Sequence, residues 1–169
     1  MKRLMVIVLS LVVAMSMSVT AFADSITEED AYNAVVLDSG VDPANVVLIE
    51  SEFDDTSYEI EFIDSATGTD YSYEVMAASG NIVEKSVEFK VKKNTSKKKI
   101  GKKKARKIAA NHSGISYKVV KKGKCKFERE HKQGKYEVKF RANGYKYDYE
   151  ILAPNGKIKE YEWEMINKR

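Results

Sequence analysis

The sequence predicts an α+β protein made of two tandem modules, each with one helix packed on a roughly four-stranded antiparallel sheet. Three observations predict this fold. One sequence plan occurs twice, at residues 26–89 and 100–164; a helical pattern opens each copy; and segments that alternate strictly between apolar and polar residues follow it. Alternation places every second side chain on one face of a strand, which is typical of antiparallel sheets with one buried face.

Each copy opens with a predicted helix. In the first copy Thr27 is a favourable N-cap, and Asp30 lies three residues further on, which is close to a capping-box arrangement. Small and apolar residues then recur at helical spacing in both copies. Gly40 and Gly114 follow these segments. We therefore expect both helices to end at a glycine in the left-handed conformation.

The predicted strands carry repeated aromatic residues. The segment at 58–62 returns at 136–140, and the segment at 71–75 returns at 147–151. Strand alternation predicts that most of their tyrosines and phenylalanines belong to the core or to cross-strand pairs, rather than to a row that stacks on a ligand. A Pro-Asn-Gly sequence at 154–156 predicts a tight turn before the last strand.

In their order, these motifs resemble the PepSY domain. The first copy has Ile-Thr-x-x-x-Ala, a helix followed by Gly-Val, Tyr-Glu-Ile-Glu, Tyr-x-Tyr-Glu-Val and a final Gly-x-Ile, and the second copy repeats variants of them in the same order. The resemblance covers nearly the whole chain after residue 23, twice. It implies a domain related to the propeptides of thermolysin-like metallopeptidases, which bind and restrain peptidases or regulate proteins outside the cell. The second copy departs from the pattern at its start, where Gly101 and three lysines replace the capping residue and the acids.

The first residues are typical of a secretory signal peptide. Lys2 and Arg3 precede an apolar run from Leu4 to Val19, and Ala21-Phe22-Ala23 is a small-x-small cleavage site. An uncleaved anchor helix is the alternative, because the run is close to membrane-spanning length. We expect a secreted or cell-surface protein with the following organisation: signal peptide 1–23, first acidic module 24–89, basic linker 90–99 and second basic module 100–169.

The two copies carry opposite net charge. Residues 24–89 contain 17 acids and one base, Lys85, whereas residues 90–169 contain 26 bases and 8 acids. The densest basic stretch crosses the linker and the start of the second helix, and it supplies the candidate anion- or partner-binding residues: Lys97, Lys98, Lys99, Lys102, Lys103, Lys104, Arg106 and Lys107. Bases at a helix N-terminus oppose the helix dipole, while the free N–H groups there favour an anion.

Three anions fit this basic stretch: the acidic first module, an anionic wall or membrane polymer, and nucleic acid. Export makes nucleic acid the least expected of them. The alternative is a solvated lysine face without a ligand. Because the two modules carry opposite net charge, we also expect them to dock on each other.

The sequence contains no recognisable catalytic or metal-binding constellation, which predicts a protein that is not an enzyme and needs no cofactor. It has no His-Glu-x-x-His, no cysteine pair, no Gly-x-Ser-x-Gly and no phosphate loop. The enzyme alternative rests on Cys125 and His112, although Cys125 is expected to be buried. Asp54, Asp55 and Asp64 could hold a cation, but solvated turn acids explain them more simply.

Tyr161 and Trp163, on the last predicted strand, are the candidate protein-contact residues, because Tyr and Trp lead among binding hot spots. The expected function is that of an exported, non-catalytic binding protein, which regulates or inhibits a peptidase or another extracytoplasmic protein. The alternative is an envelope-associated module that binds anionic wall or membrane polymers through its basic second half.

Overall fold

A computed structural model describes residues 25–92, 96–130 and 133–167, so the predicted signal peptide lies outside the described residues. The helices are α1 (Glu28–Ser39), α2 (Lys102–Ser113) and α3 (Tyr117–Val120), with a 3₁₀ turn at Pro43–Asn45. The strands are β1 (Val46–Asp54), β2 (Ser57–Asp64), β3 (Thr69–Met76), β4 (Ile82–Glu88), β5 (Lys124–Glu130), β6 (Gln133–Ala142), β7 (Tyr145–Leu152) and β8 (Ile158–Met165). None of the helices in these three ranges is long and apolar enough to cross a membrane.

The predicted α+β class is confirmed, and all eight strands form one antiparallel sheet in the order β1-β2-β3-β4-β8-β7-β6-β5. The structure therefore differs from the predicted pair of separate four-stranded sheets: each half of the described chain contributes a four-stranded meander to one shared sheet. The meanders join because β4 pairs with β8, with Ser86 opposite Glu162 at the middle of the seam. This pairing satisfies backbone groups that two separate sheets would each leave at an open edge.

The two long helices begin differently and end alike. Thr27 Oγ1 accepts a hydrogen bond from the Asp30 amide at 3.1 Å, and the Asp30 carboxylate accepts one from the Thr27 amide at 3.0 Å, so the expected capping box is present. Helix α2 begins after Gly101, which has a φ of 83° and provides no side-chain cap. Gly40 and Gly114 end the helices at φ values of 69° and 70°, which confirms the predicted left-handed ends.

Both helices cover the same face of the sheet. One row of directly paired residues crosses seven strands on this face, and it comprises Phe62, Tyr71, Val87, Tyr161, Tyr149, Val138 and Cys125. Helix α1 packs Ala31 and Val35 on one end of this face, and α2 packs Ala105 and Ala109 on the other. The buried or half-buried positions of the repeated aromatics confirm that they belong mainly to the core.

The opposite face of the sheet is polar, and the charge of its side chains changes from negative in the first half to mixed and positive in the second. One row of directly paired residues places five glutamates side by side on β1, β2, β3, β4 and β8, before two bases on β7 and β6: Glu52, Glu59, Glu74, Glu84, Glu164, Lys146 and Arg141. Like charges directly opposite each other destabilise a sheet. Burial and neighbouring carboxylates raise the pKa of Glu160 and of Glu162 on the same face.

Candidate functional site

A pocket of about 370 Å³ opens on the helix-bearing face, beside the C-terminal end of α2. We call it the aromatic pocket, and its walls are Tyr145, Tyr147, Tyr149, Tyr161 and Trp163, with His112 and Ser113 at the helix end. Strands β7 and β8 supply the aromatic walls, because Tyr149 lies opposite Tyr161 and Tyr147 lies opposite Trp163 in the sheet. The predicted contact residues Tyr161 and Trp163 therefore lie together, and both are half-buried.

Ring-to-ring contacts hold the pocket walls in place. The Tyr145 and Trp163 rings meet edge to face at 5.3 Å between centroids, and the His112 ring lies 4.5 Å from the Tyr161 ring. The Tyr149 and Tyr161 rings are stacked at 5.9 Å. Aromatic pairs of this kind stabilise a structure beyond the area they bury. The pocket is thus a preformed aromatic surface that needs little side-chain ordering on binding.

The polar groups of the aromatic pocket favour their neutral forms. His112 Nδ1 lies 3.1 Å from the Tyr149 hydroxyl. Burial, together with the nearby Lys85, lowers the pKa of His112. Burial also raises the pKa of Tyr149 and raises the pKa of Tyr161 to about 12. At neutral pH the pocket therefore offers neutral hydrogen-bonding groups among apolar rings, which is the usual composition of a binding pocket.

The first half has a different arrangement at the matching place. Lys85 Nζ lies 2.7 Å from the Asp38 carboxylate, which also accepts a hydrogen bond from the Tyr73 hydroxyl at 3.1 Å. The ammonium group is 5.2 Å from the centre of the Tyr73 ring, and Lys85 is only 9% exposed. The single base of the acidic half is therefore a buried partner of α1. This contact was not predicted, although a lone base among 17 acids is a usable signal of a buried ion pair.

The basic stretch surrounds the start of α2. Its seven lysines are exposed: Lys97, Lys98, Lys99, Lys102, Lys103, Lys104 and Lys107. Two of its members also pack on the second half, because the Lys99 ammonium lies 3.7 Å from the centre of the Phe127 ring and Arg106 donates a hydrogen bond to the Gly123 carbonyl at 3.2 Å. The Gly101 amide donates to the Tyr136 hydroxyl at 3.2 Å, so one helix-start N–H group already has an acceptor.

The two residues of the enzyme alternative lie at opposite ends of α2. The sulfur of Cys125 is 4.0 Å from the carbonyl oxygen of Lys102, at the first residue of the helix. His112 is ten residues further along, which corresponds to about 15 Å of helix. Cys125 is buried, as predicted, and burial raises the pKa of its thiol. The pair therefore does not form a site.

The three aspartates considered as cation ligands lie at strand ends or in a turn, and Asp64 is buried, at 8% exposure, rather than solvated as expected. Asp54 ends β1, and Asp55 occupies the following turn with a φ of 47°. The Asp64 carboxylate accepts hydrogen bonds from the Ala66 amide at 2.9 Å and the Thr67 hydroxyl at 2.6 Å. Across residues 25–92, 96–130 and 133–167, no group of three or more His, Cys, Asp or Glu side chains is placed to hold a metal ion.

Comparison with known proteins gives only weak similarities. No known family profile and no curated protein matches the sequence. Similar solved structures include a proposed lipoprotein from Clostridium difficile 630, with 15% identity, a TM-score of 0.32 and coverage of 83% of this chain and 95% of that one. They also include the C-terminal domain of YpeB from Bacillus megaterium, with 16% identity, a TM-score of 0.31 and coverage of 84% and 67%. No family membership follows from these values.

Proposed function

We propose that the protein is an exported, non-catalytic binding protein, which regulates or inhibits a peptidase or another extracytoplasmic protein. The aromatic pocket is the observation that carries this proposal. It combines Trp163 with four tyrosines around a preformed cavity, and buried aromatic contacts of this kind dominate the affinity of protein interfaces. Its neutral hydroxyl and imidazole groups suit an apolar or aromatic side chain that a partner inserts, with a few hydrogen bonds to orient it.

We further propose that the chain is a tandem pair of PepSY-like modules, at 24–89 and 100–169, joined by the basic linker 90–99. Each described half has one long helix, followed by a four-stranded meander. Matching strand positions support duplication of one folded unit, because Tyr71 and Tyr73 on β3 correspond to Tyr147 and Tyr149 on β7. The basic start, apolar run and Ala-Phe-Ala site of residues 1–23 support export through a cleaved signal peptide.

The separation of Cys125 from His112 supports binding rather than catalysis. Within the aromatic pocket, the imidazole of His112 contacts Tyr149 and Tyr161, and neither phenol is activated, because burial raises the pKa of each. A general base needs a pKa close to the working pH and a reacting proton within hydrogen-bond reach. The arrangement therefore fits a contact surface better than an acid–base pair.

Trp163 provides a direct test, because it is the only tryptophan in the chain and it lines the pocket. Purified protein should capture a partner from the exported fraction of the producing cell, and addition of that partner should shift the Trp163 fluorescence. In a peptidase assay on the same fraction, the protein should lower proteolysis. The variant Y161K/W163V, which copies the matching residues of the first half, should lose capture and inhibition.

A matched aromatic truncation away from the pocket is the control. Tyr32 lies on α1 and packs against the first-half core, so Y32A removes a partly buried tyrosine without touching the pocket. It should keep both capture and inhibition. Equal capture by wild type and Y161K/W163V, or no change of Trp163 fluorescence on addition of the partner, would remove the basis for a pocket-mediated function.

The exposed lysines support a second candidate function, the binding of anionic wall or membrane polymers. Lys102, Lys103 and Lys104 occupy the first turn of α2, where the helix dipole disfavours them and no side chain caps the helix. The variant K102E/K103E/K104D copies the acids of α1, and it should weaken binding to teichoic-acid-like polymer or anionic vesicles, since each exposed base near such a surface contributes about 1 kcal/mol. Unchanged polymer binding would favour the peptidase regulator instead.

A further inference from the structure

The two edges of the sheet differ in apolar exposure. The first-half edge, β1, exposes four apolar side chains, with Ile49 57% and Phe53 58% exposed: Val47, Leu48, Ile49 and Phe53. The other edge, β5, has Cys125 buried and Phe127 half-buried under the linker lysine Lys99. An edge strand with exposed apolar residues is a site for pairing with another strand, because its outer N–H and C=O groups have no ladder partner.

The two edges also carry opposite charges in the same spacing. On the polar face, β1 presents exposed carboxylates at alternate positions, from Glu50 and Glu52. On the same face, β5 presents exposed ammonium groups at alternate positions, from Lys124 and Lys126. Glu50 and Glu52 lie opposite Glu61 and Glu59 of β2, so both glutamates face another acid within their own sheet.

Strand direction makes these edges compatible with each other. Neighbouring strands of the eight-stranded sheet are all antiparallel, so β1 and β5, at the two ends of an even-numbered order, run in opposite directions. A second copy displaced sideways along the sheet, without being turned over, therefore places its β5 antiparallel to β1. The helix-bearing faces of the two copies then lie on the same side.

We propose that β1 pairs with β5 of a second copy of this chain, which extends the sheet from one molecule into the next. Placing Glu50 opposite Lys126 of the second copy also places Glu52 opposite its Lys124. On the helix-bearing face, the same register puts Ser51 opposite Cys125 of the second copy. Oppositely charged cross-strand pairs stabilise a sheet, whereas like pairs do the reverse. This register therefore gives Glu50 and Glu52 each a basic cross-strand neighbour in addition to the acid that each faces on β2.

The contact joins different surfaces of the two copies, so each assembled pair keeps one free β1 and one free β5. Such head-to-tail contacts continue into open chains unless the rotation between copies closes a ring. The bulge between Leu48 and Glu50 interrupts the register of β1, so pairing covers the segment from Glu50 onwards. Of the four exposed apolar side chains, Phe53 lies within this segment, and the other three flank it. The association should be salt-sensitive, because its charged pairs lie on an exposed face.

Two charge reversals test this register on the full mature chain. E50K/E52K and K124E/K126E should each weaken self-association by about tenfold or more, because two cross-strand attractions become repulsions. An equimolar mixture of the two variants should recover association, since the acidic edges of one then meet the basic edges of the other. Sedimentation velocity over a concentration series, at low salt and again at about 1 M salt, gives the mass.

Circular dichroism and thermal unfolding separate lost pairing from lost folding. E50K/E52K should fold at least as well as wild type, because its lysines face Glu61 and Glu59 within the monomer. The matched controls D70K/E88K and R141E/K157E change equal charge at exposed positions on the inner strands β3, β4 and β6 and in the turn before β8, and they should associate like wild type. A wild-type monomer at every concentration, or a mixture that stays monomeric, overturns the proposal. Neither result affects the aromatic pocket, which Trp163 fluorescence reports independently.

Discussion

The ends of the two long helices differ most clearly in what they cover. Asp38, near the end of α1, forms an ion pair with Lys85 and accepts a hydrogen bond from the Tyr73 hydroxyl. His112, near the end of α2, lies against Tyr161 and Tyr149 beside an open pocket. The tyrosines of β3 and β7 beneath the two helix ends match, whereas Lys85 and Val87 on β4 are replaced by Tyr161 and Trp163 on β8. Two matching halves thus hold a closed charged contact in one case and an open aromatic pocket in the other, so function is expected where the halves differ.

Large core truncations test whether the halves are independent or share one folding transition. Ile60 and Ile151 are both fully buried, one in each half. Replacement of either by Ala should cost about 2–5 kcal/mol of unfolding free energy, through lost burial and the cavity left behind. Because β4 and β8 join the halves in one sheet, each variant should shift a single transition followed by circular dichroism and by Trp163 fluorescence. Two separate transitions would indicate independent modules.

Removal of the acid at the end of α1 should have the next largest effect. D38A leaves the Lys85 ammonium buried without its carboxylate, and it should cost about 1–2 kcal/mol, allowing for the 40% exposure of the Asp38 side chain. H112A loses ring contacts and one hydrogen bond to the Tyr149 hydroxyl, but it leaves no buried charge without a partner, and it should cost less. Chemical denaturation measures both. The double variant D38N/K85M removes both charges and should recover much of the loss; failure to recover would assign the cost to packing instead.

Reversal of the charges at the start of α2 should change the unfolding free energy by a smaller amount, and it should raise it rather than lower it. K102E/K103E/K104D should raise the unfolding free energy by up to about 1 kcal/mol, because acids in a first helical turn interact favourably with the dipole. T27A in α1 should lower it by about 1 kcal/mol through loss of the capping box. Thermal unfolding at low salt compares the two. A decrease for the triple variant would mean that the lysines dock on acids elsewhere in the chain.

The smallest expected effect is the contribution of His112 to the pH dependence of the unfolding free energy. Its folded-state pKa is lowered by burial and by Lys85, so the unfolded chain binds a proton more readily than the folded one. The stability from neutral His112 is therefore complete above the unfolded pKa of about 6.5, and it is lost as pH falls toward the folded pKa. NMR titration and denaturation of wild type and H112Q between about pH 5 and 8 measure it. A wild-type pKa above that of the unfolded chain would reverse the sign.

Local signals predicted much of the fold. Thr27 and Asp30 specified a capping box, the two helix-ending glycines specified left-handed ends, and alternating tyrosines specified strand faces. The sheet order was not predicted, because the β4–β8 pairing joins segments far apart in sequence, and no local pattern encodes such a contact. Tyr161 and Trp163 were chosen as contact residues because Tyr and Trp lead among binding hot spots. Tyr147 and Tyr149, which help to complete the pocket, were assigned only to the core, because strand alternation does not show which strand lies beside β7.

The position of β8 has a consequence for the order in which the chain can fold during synthesis. Of the eight described strands, β8 comes last in the chain and is therefore made last, yet it is an inner strand of the sheet, between β4 and β7. Until β8 is present, β4 is an unpaired edge strand of the first half, and such edges promote aggregation of incomplete chains. A nascent chain that stalls before residue 158 would keep two unpaired inner edges. The arrival of β8 therefore controls the last step of sheet assembly, and protection by chaperones should matter most just before it.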